Sequence, residues 1–126
     1  MAARVLVVDD DLPGLTLAES AFALLGVEVV SATDGRECID AFRMQRFDIV
    51  FMDHLMPNMS GFEATSEIRT IEAELGWPRT PIVALTASAF PSDIEGFFGA
   101  GVDDILLKPY RIEELAEMLR KWAPRR

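Results

Sequence analysis

The chain has 126 residues, of which 50% are hydrophobic and 26% charged, a composition typical of one globular domain with a single core. Its 21 acidic and 12 basic side chains give a formal net charge of −9, which opposes general binding to the phosphate backbone of nucleic acids. The single cysteine, Cys38, excludes an internal disulfide, and neither a signal-peptide pattern nor an apolar run near the ~20 residues that cross a bilayer is present, so we expect a cytoplasmic protein.

Five short apolar runs predict the strands of a sheet. They cover residues 4–8, 27–31, 47–52, 81–85 and 102–107. The first and third runs are nearly continuous rather than alternating between apolar and polar residues. That pattern is typical of strands covered on both faces, and it therefore predicts a parallel sheet.

Helical periodicity fills the segments between the strands. The predicted helices run from Pro13 to Gly26, over 35–45, from a capping box at Ser60 and Glu63 to Gly76, over 91–99 and over 111–122. Strand and helix thus alternate five times along the chain. This order predicts an α/β fold with one doubly wound (βα)5 domain over residues 1–126, and no separate output domain.

Polar side chains follow four of the predicted strands. Asp9 and Asp10 follow the first strand, Asp53 the third, Thr86 the fourth and Lys108 the fifth. Ligands of open parallel sheets bind outside the carboxyl ends of the strands, near the point where the strand order reverses. We therefore expect these five side chains to converge on one site.

The chemistry of this set points to a cation and a phosphoryl group. Carboxylates within about 4–6 Å of one another raise each other's pKa, so a crowded acidic cluster favours an entering cation. All the candidate ligands are oxygen atoms, which hard cations such as Mg²⁺ prefer. An aspartate carboxylate can itself act as a nucleophile and form an acyl phosphate. With a lysine nearby, the site has the components needed to accept a phosphoryl group.

Four segments carry a resemblance to a known family. They are VLVVDDD at 5–11, MDHLMPNMSGFEA at 52–64, PIVALTASA at 81–89 and GVDDILLKP at 101–109. In this order and at these intervals they resemble the response-regulator receiver domains of two-component signalling, along essentially the whole chain. The resemblance implies a five-stranded parallel sheet of flavodoxin-like order 2-1-3-4-5. Residues 68–87 further resemble receivers attached to hybrid histidine kinases, so both a free-standing regulator and a module of a larger kinase remain open.

By this resemblance Asp53 accepts the phosphoryl group from a phosphohistidine of a histidine kinase or a histidine phosphotransfer protein. Asp10 and Asp53 then bind Mg²⁺ or Mn²⁺ directly, and Leu55 contributes its backbone carbonyl. Asp9 acts through a metal-bound water. The resemblance also implies slow self-dephosphorylation, rather than an enzyme acting on separate substrates.

Further residues are expected to detect the phosphoryl group. Thr86 forms a hydrogen bond to it and Lys108 supplies positive charge, while the Lys108–Pro109 bond is expected to be cis. The family usually has an aromatic residue three positions before the lysine, but this chain has Ile105. The switch aromatic is therefore absent, which puts the usual output mechanism in doubt.

The same resemblance implies partner contacts on the first helix, where Leu12 and Leu15 would contact the phosphoryl donor. The domain itself is expected to be a monomer or weak dimer that contacts no nucleic acid and no membrane. His54, beside Asp53, is interpreted as a loop side chain that tunes access to the site rather than as a catalytic base. Phe97 and Phe98 make the fourth helix unusually apolar, with burial the first interpretation and a partner surface the second.

Three other classes of protein share features with this sequence. An FMN carrier of the same architecture needs a phosphate cradle rich in Ser, Thr and Gly after strand 1, where this chain has acids. A phosphohydrolase with an aspartate nucleophile usually places it on strand 1. A receiver-like docking module, whose output does not depend on phosphorylation, remains the alternative because of Ile105.

Overall fold

The computed structural model describes residues 3–88 and 90–123, and strands and helices alternate along them. The strands are β1 (Arg4–Val8), β2 (Glu28–Ala32), β3 (Ile49–Asp53), β4 (Ile82–Thr86) and β5 (Asp104–Leu107). The helices are α1 (Leu12–Leu24), α2 (Gly35–Met44), α3 (Gly61–Leu75), α4 (Pro91–Ala100) and α5 (Ile112–Trp122). Within the described ranges, no helix is long and apolar enough to cross a membrane.

All five strands run parallel in the order β2-β1-β3-β4-β5, which confirms the expected topology. After β1 the chain adds β2 on one side, and after β2 it returns to add β3 on the other side of β1. The strand order therefore reverses between β1 and β3. Because Val8 of β1 pairs with Met52 of β3, the residues that follow these two strands emerge side by side.

Helices cover both faces of the sheet, as the continuous apolar runs predict. Along β1 the side chains alternate between the two faces. Val5 and Val7 pack in a core with α1 and α5, whereas Leu6 and Val8 pack in a second core with α2, α3 and α4. Every residue of β3 and β4 is buried. Burial on both faces explains why these strands show no polar alternation.

Helix α3 has the start that the sequence predicts. The Ser60 hydroxyl accepts a hydrogen bond from the Glu63 amide at 3.2 Å, and the Glu63 carboxylate accepts one from the Ser60 amide at 2.9 Å. This capping box satisfies two amides that the first turn leaves without helical partners. Gly76 ends the helix in the left-handed conformation, with a φ of 67°.

The predicted element bounds differ from the observed ones by one or two residues, for a physical reason. Phe47 lies in the predicted third strand, but β3 begins at Ile49. Phe47 is buried and stacks on Phe42, so it is apolar because it fills the core beside the strand. Leu25 and Leu75 continue the apolar repeats of α1 and α3, but they are exposed because the helices end there.

A group of four charged residues lies where β4 and β5 begin, and we call it the amino-end cluster (Arg69, Glu72, Arg79 and Asp103). The Arg69 guanidinium contacts the Glu72 and Asp103 carboxylates, each at 2.9 Å. The Arg79 guanidinium contacts the other Asp103 oxygen, also at 2.9 Å. The backbone carbonyl of Gly101 accepts hydrogen bonds from both arginines. The cluster joins α3 to the chain entering β4 and β5.

Candidate functional site

Three aspartates meet at the carboxyl ends of β1 and β3. Asp9, Asp10 and Asp53 each offer a carboxylate oxygen, and these oxygens lie within 4.8 Å of one another. Asp9 and Asp53 are buried, with 1% and 6% of their surface exposed, whereas Asp10 is exposed. The structure thus brings together the acidic residues that the sequence assigns to one site.

Lys108 supplies positive charge to this group. Its Nζ donates to Asp53 Oδ1 at 2.8 Å and to Asp9 Oδ2 at 3.3 Å. The Lys108 amide donates to the Thr86 carbonyl at 2.8 Å, which holds the loop after β5 beside the end of β4. The Lys108–Pro109 peptide bond is cis, as expected. We call Asp9, Asp10, Asp53 and Lys108 the carboxyl-end cluster.

Burial and crowding change the acidity of Asp53 and Lys108. Burial raises the pKa of Asp53 to about 6, with a further increase from the charge of Asp9, although the Lys108 hydrogen bond opposes it. Burial alone would lower the pKa of Lys108, but the hydrogen bond and charge of Asp53, together with the charge of Asp9, raise it. The lysine is therefore a stable cation in a pocket that carries excess negative charge.

The donor set fits a hard divalent cation. Three carboxylates face one ammonium, so the carboxyl-end cluster retains an excess of negative charge that a cation would offset. Asp9 is held in place because its Oδ1 accepts a hydrogen bond from the Asp11 amide at 3.0 Å. Asp11 also caps α1, since its side chain accepts a hydrogen bond from the Gly14 amide. The role expected for the Leu55 carbonyl remains a prediction.

A cleft of about 440 Å³ opens over Asp53. Its lining comprises Asp53, His54, Leu55, Thr86, Ala87, Ser88, Asp93 and Lys108. The buried Thr86 hydroxyl accepts a hydrogen bond from the Ser88 amide at 3.1 Å, so a local turn holds it. The Ser88 hydroxyl in turn donates to Asp93 in the first turn of α4 at 2.5 Å. Sequence reasoning missed both residues: Ser88 lies within the quoted segment 81–89 but was given no role, and Asp93 lies outside the four segments.

The two expected docking residues on α1 have different environments. Leu12 is 62% exposed, whereas Leu15 is only 5% exposed and packs in the core that α1 and α5 form with the sheet. The expected contact of Leu15 with a partner stays a prediction, and the structure places this side chain in the core. Its place in the apolar repeat of α1 reflects packing against the sheet.

Tyr110 is a site-adjacent residue that sequence reasoning missed. It lines a second cleft, of about 370 Å³, together with Asp9, Leu17 and Lys108 among others. Burial raises the pKa of its hydroxyl, and the negative charge of Asp9 adds to this effect. Its position directly after the Lys108–Pro109 pair is the only sequence signal that could have drawn attention to it.

Ile105, Phe97 and Cys38 pack in or against the core that α2, α3 and α4 form with the sheet. Ile105 is partly buried there, and Phe97 is buried, whereas Phe98 is 49% exposed. Cys38 is fully buried, and this burial raises the pKa of its thiol to about 12. The burial of Phe97 agrees with the first interpretation of that residue.

The model of the response regulator receiver domain family matches residues 5–120. The sensor protein GacS of Pseudomonas syringae pv. syringae is 40% identical over 121 residues, which are 96% of this chain and 13% of that protein. The chain spans only a small part of the curated relatives that it matches, between 7% and 20% of their lengths.

Two solved structures share the fold over nearly the whole chain. The receiver domain of sensor histidine kinase PA1611 from Pseudomonas aeruginosa PAO1, with a magnesium ion coordinated in its active site cleft, is 35% identical. It has a TM-score of 0.87 and covers 97% of this chain and 98% of its own. The Saccharomyces cerevisiae Ssk1 receiver, crystallised with the histidine phosphotransfer protein Ypd1, has a TM-score of 0.91 at 27% identity, over 96% of this chain and 88% of its own. Together with the fold and the acidic pocket, these matches show that the chain belongs to the response regulator receiver domain family of two-component signal transduction.

Proposed function

We propose that this domain accepts a phosphoryl group on Asp53 from a phosphohistidine, in a reaction that requires Mg²⁺ or Mn²⁺. The observation that carries the proposal is the position of the Asp53 carboxylate. It lies 2.8 Å from the Lys108 ammonium, and one of its oxygens is within 4.8 Å of oxygens of Asp9 and Asp10. A carboxylate flanked in this way can attack phosphorus once the surrounding negative charge is offset.

In the transfer, an Asp53 oxygen forms a bond to phosphorus as the bond between phosphorus and the donor imidazole nitrogen breaks. The electron pair of that bond stays on the imidazole, which takes a proton from solvent. Asp10, Asp53 and the Leu55 carbonyl would hold the divalent ion, with Asp9 acting through a water. When bound, the ion would offset the charge of the carboxylates and of the incoming phosphoryl oxygens. No separate general base is needed, because Asp53 is mostly ionised at neutral pH.

The added charge gives the domain a means of switching. An aspartyl phosphate carries close to two negative charges, which would attract Lys108 and the Thr86 hydroxyl. In the unphosphorylated domain the Thr86 hydroxyl is held by Ser88, so moving towards a phosphoryl oxygen would break that contact and shift the loop after β4. Loop movement of this kind would change the protein surfaces offered to partners.

The proposed donor is a histidine kinase or a histidine phosphotransfer protein. Support comes from the similarity to sensor kinases and to the Ssk1 receiver, which was crystallised with a histidine phosphotransfer protein. The exposed Leu12, next to the carboxyl-end cluster, is the proposed contact on α1. We propose that the domain is a non-enzymatic phosphoacceptor that loses its phosphoryl group slowly to water, within a phosphorelay whose output is a protein–protein interaction.

Intact-mass measurement after incubation with Mg²⁺ and acetyl phosphate tests the proposal. The wild-type chain should gain one phosphoryl group, and Asp53→Asn or removal of Mg²⁺ with EDTA should abolish the gain. Asp40→Asn is the matched control, because Asp40 is an exposed aspartate on α2 outside the carboxyl-end cluster. Absence of labelling in the wild type would favour the alternative, a receiver-like docking module whose output does not depend on phosphorylation.

Donor docking has a separate test. Leu12→Ala should slow transfer from a phosphorylated histidine phosphotransfer protein more than it slows labelling by acetyl phosphate, since the small donor needs no protein surface. Equal losses with the two donors would argue against a contact at Leu12.

A further inference from the structure

Three rings join the cleft over Asp53 to helix α4. The ring centroid of His54 lies 4.5 Å from that of Phe62 and 4.8 Å from that of Phe97. The Phe62 and Phe97 centroids are also 4.8 Å apart, with the rings nearly perpendicular. His54 follows Asp53 in the chain and lines the cleft, Phe62 belongs to α3, and the buried Phe97 belongs to α4. We call these three residues the ring cluster.

The backbone beside the ring cluster is clamped to the start of α3. The Gly61 amide donates to the His54 carbonyl at 2.8 Å. A side chain at residue 61 would collide with the Asp53 carbonyl, so glycine is needed for α3 to approach β3 this closely. Movement of residues 53 and 54 is therefore restricted on the α3 backbone side.

Helix α4 fits closely against the ring cluster. A Cβ at Gly96 would lie 2.8 Å from the Phe62 ring, so the absence of a side chain there allows α4 to rest on that ring. Phe97, the next residue, is 1% exposed and contacts both of the other rings. Close-packed interiors transmit displacement, because their atoms have no empty volume into which they can move.

On the buried side of its ring, His54 is oriented by packing and not by a hydrogen bond. Its Nδ1 is buried and has no hydrogen-bond partner. Buried polar atoms without a partner are uncommon in proteins, and a phenylalanine ring in this place would avoid the cost of one. With no hydrogen bond at Nδ1, the contacts with Phe62 and Phe97 determine the angle of the ring on this side.

From these contacts we infer that His54 is a positioning residue that couples the state of the Asp53 cleft to the position of α4. The inference rests on the proposed function, because the signal that it transmits is the charge added at Asp53. The route runs through the side of the sheet that faces α3 and α4, and it does not require an aromatic side chain at residue 105. Helix α4 presents the half-exposed Phe98 on its outer face, so its displacement would change an apolar surface.

Nuclear magnetic resonance of the full chain tests the inference. The amide signals of Gly96 and Gly99 report on α4, and intact mass measures phosphorylation by acetyl phosphate and Mg²⁺ in the same samples. We expect both signals to shift in the wild type, and His54→Ala to reduce the shift per phosphorylated molecule by about half or more. His54→Phe keeps a ring in contact with Phe62 and Phe97, so it should retain the wild-type shift.

A matched control separates coupling from general loosening of the core. Phe47→Leu removes a buried ring from the same core but outside the ring cluster, and it should leave the glycine shifts at the wild-type value. Where circular dichroism shows that His54→Ala does not fold, His54→Leu replaces it, since leucine fills more of the volume without a ring.

The outcomes distinguish the two proposals. A full shift in phosphorylated His54→Ala overturns the coupling and leaves phosphoryl acceptance intact. Loss of the amide shift in Phe47→Leu as well, or in His54→Phe, also overturns the coupling. In either case the shift would not depend on an aromatic ring at residue 54. A wild-type chain that gains no phosphoryl group overturns the proposed function and the coupling together.

Discussion

The two ends of the sheet carry charged clusters of opposite design. At the amino end, two arginines face two carboxylates, and Asp103 also accepts a hydrogen bond from the Ile82 amide at 2.9 Å. At the carboxyl end, three carboxylates lie beside the single ammonium of Lys108, which contacts two of them, Asp9 and Asp53. The positive and negative charges of the amino-end cluster balance, whereas the carboxyl-end cluster carries an excess of negative charge. Similar chemical groups therefore act as a structural joint at one end and as a candidate ligand site at the other.

Hydrogen bonding shows the same contrast. The buried Glu72 carboxylate accepts from Arg69 at 2.9 Å and from the Thr80 amide at 2.6 Å, so both of its oxygens have donors. Asp53 has Lys108 as its donor and lies beside Asp9, and burial raises its pKa to about 6. An acid with a raised pKa is one that the fold stabilises poorly in its charged form.

Breaking the amino-end cluster should have the largest effect. Arg69→Met leaves the carboxylates of Glu72 and Asp103 without their main buried cation, so we expect the free energy of unfolding to fall by about 3 kcal/mol in urea titrations. Arg36→Met is the control, because Arg36 is exposed and its 3.7 Å ion pair with Asp40 should contribute little. Equal losses in the two variants would show that the cluster does not stabilise the fold.

At the carboxyl end, stability should depend on pH in the opposite sense to that of an ordinary paired acid. The pKa of Asp53 rises from its ordinary 3.8 to about 6 on folding, so the native state binds more protons between these values. Stability therefore falls as the pH rises through this interval. In EDTA, the wild type should lose about 2 kcal/mol relative to Asp53→Asn between pH 4 and pH 7.

Denaturant titrations of both chains at each pH measure this difference, and the Asn variant cancels the contribution of other groups. Addition of Mg²⁺ at pH 7 should reduce the difference, because a bound cation stabilises the ionised carboxylate. A difference that is independent of pH would show that folding does not change the acidity of Asp53.

Removing the Lys108 ammonium should increase the excess of negative charge in the carboxyl-end cluster. Lys108→Met should bind Mg²⁺ about fivefold more tightly in calorimetric titrations, because the positive charge that opposes an entering cation is lost. Lys121→Met is the control, since the Lys121 ammonium lies 2.9 Å from a carboxylate of Asp104, outside the carboxyl-end cluster. Weaker Mg²⁺ binding in Lys108→Met would mean that the lysine holds the ligands in place rather than competing for them.

The smallest expected effect concerns α3, which connects the two ends of the molecule. Ser60→Ala removes one half of the capping box beside the cleft and should lower the free energy of unfolding by about 1 kcal/mol. Ser66→Ala, on the exposed side of the same helix, should change it far less. Equal changes in the free energy of unfolding for Ser60→Ala and Ser66→Ala, measured by urea titration, would show that the cap does not stabilise the helix.

Much of the architecture was predictable because each signal is local. Apolar runs, helical periods and the Ser60–Glu63 cap are read within a few residues, and they gave five strands and five helices in the right order. The carboxyl-end cluster was predictable too, because parallel strands bring the residues that follow them to one edge. The predicted bounds of the strands were less accurate. Phe47, for example, is apolar because it fills the core, although it lies outside β3.

Other features depend on contacts that no local pattern encodes. The amino-end cluster joins α3 to residues 79 and 103, which only the folded sheet brings near Arg69. The two clefts gather Ser88 and Tyr110 from loops whose conformation the sequence does not specify. The sequence also does not separate packing from partner contact at Leu12 and Leu15, because the difference in their exposure arises only in the folded chain.

The position of Lys108 along the chain has a consequence for biosynthesis. Its ammonium pairs with carboxylates 99 and 55 residues earlier, and it follows β5, at one edge of the sheet. A ribosome therefore delivers all three aspartates well before the lysine that accompanies them. Until translation passes residue 108 and the last strand docks, the nascent polypeptide holds these acids without the ammonium that pairs with Asp9 and Asp53 in the folded domain.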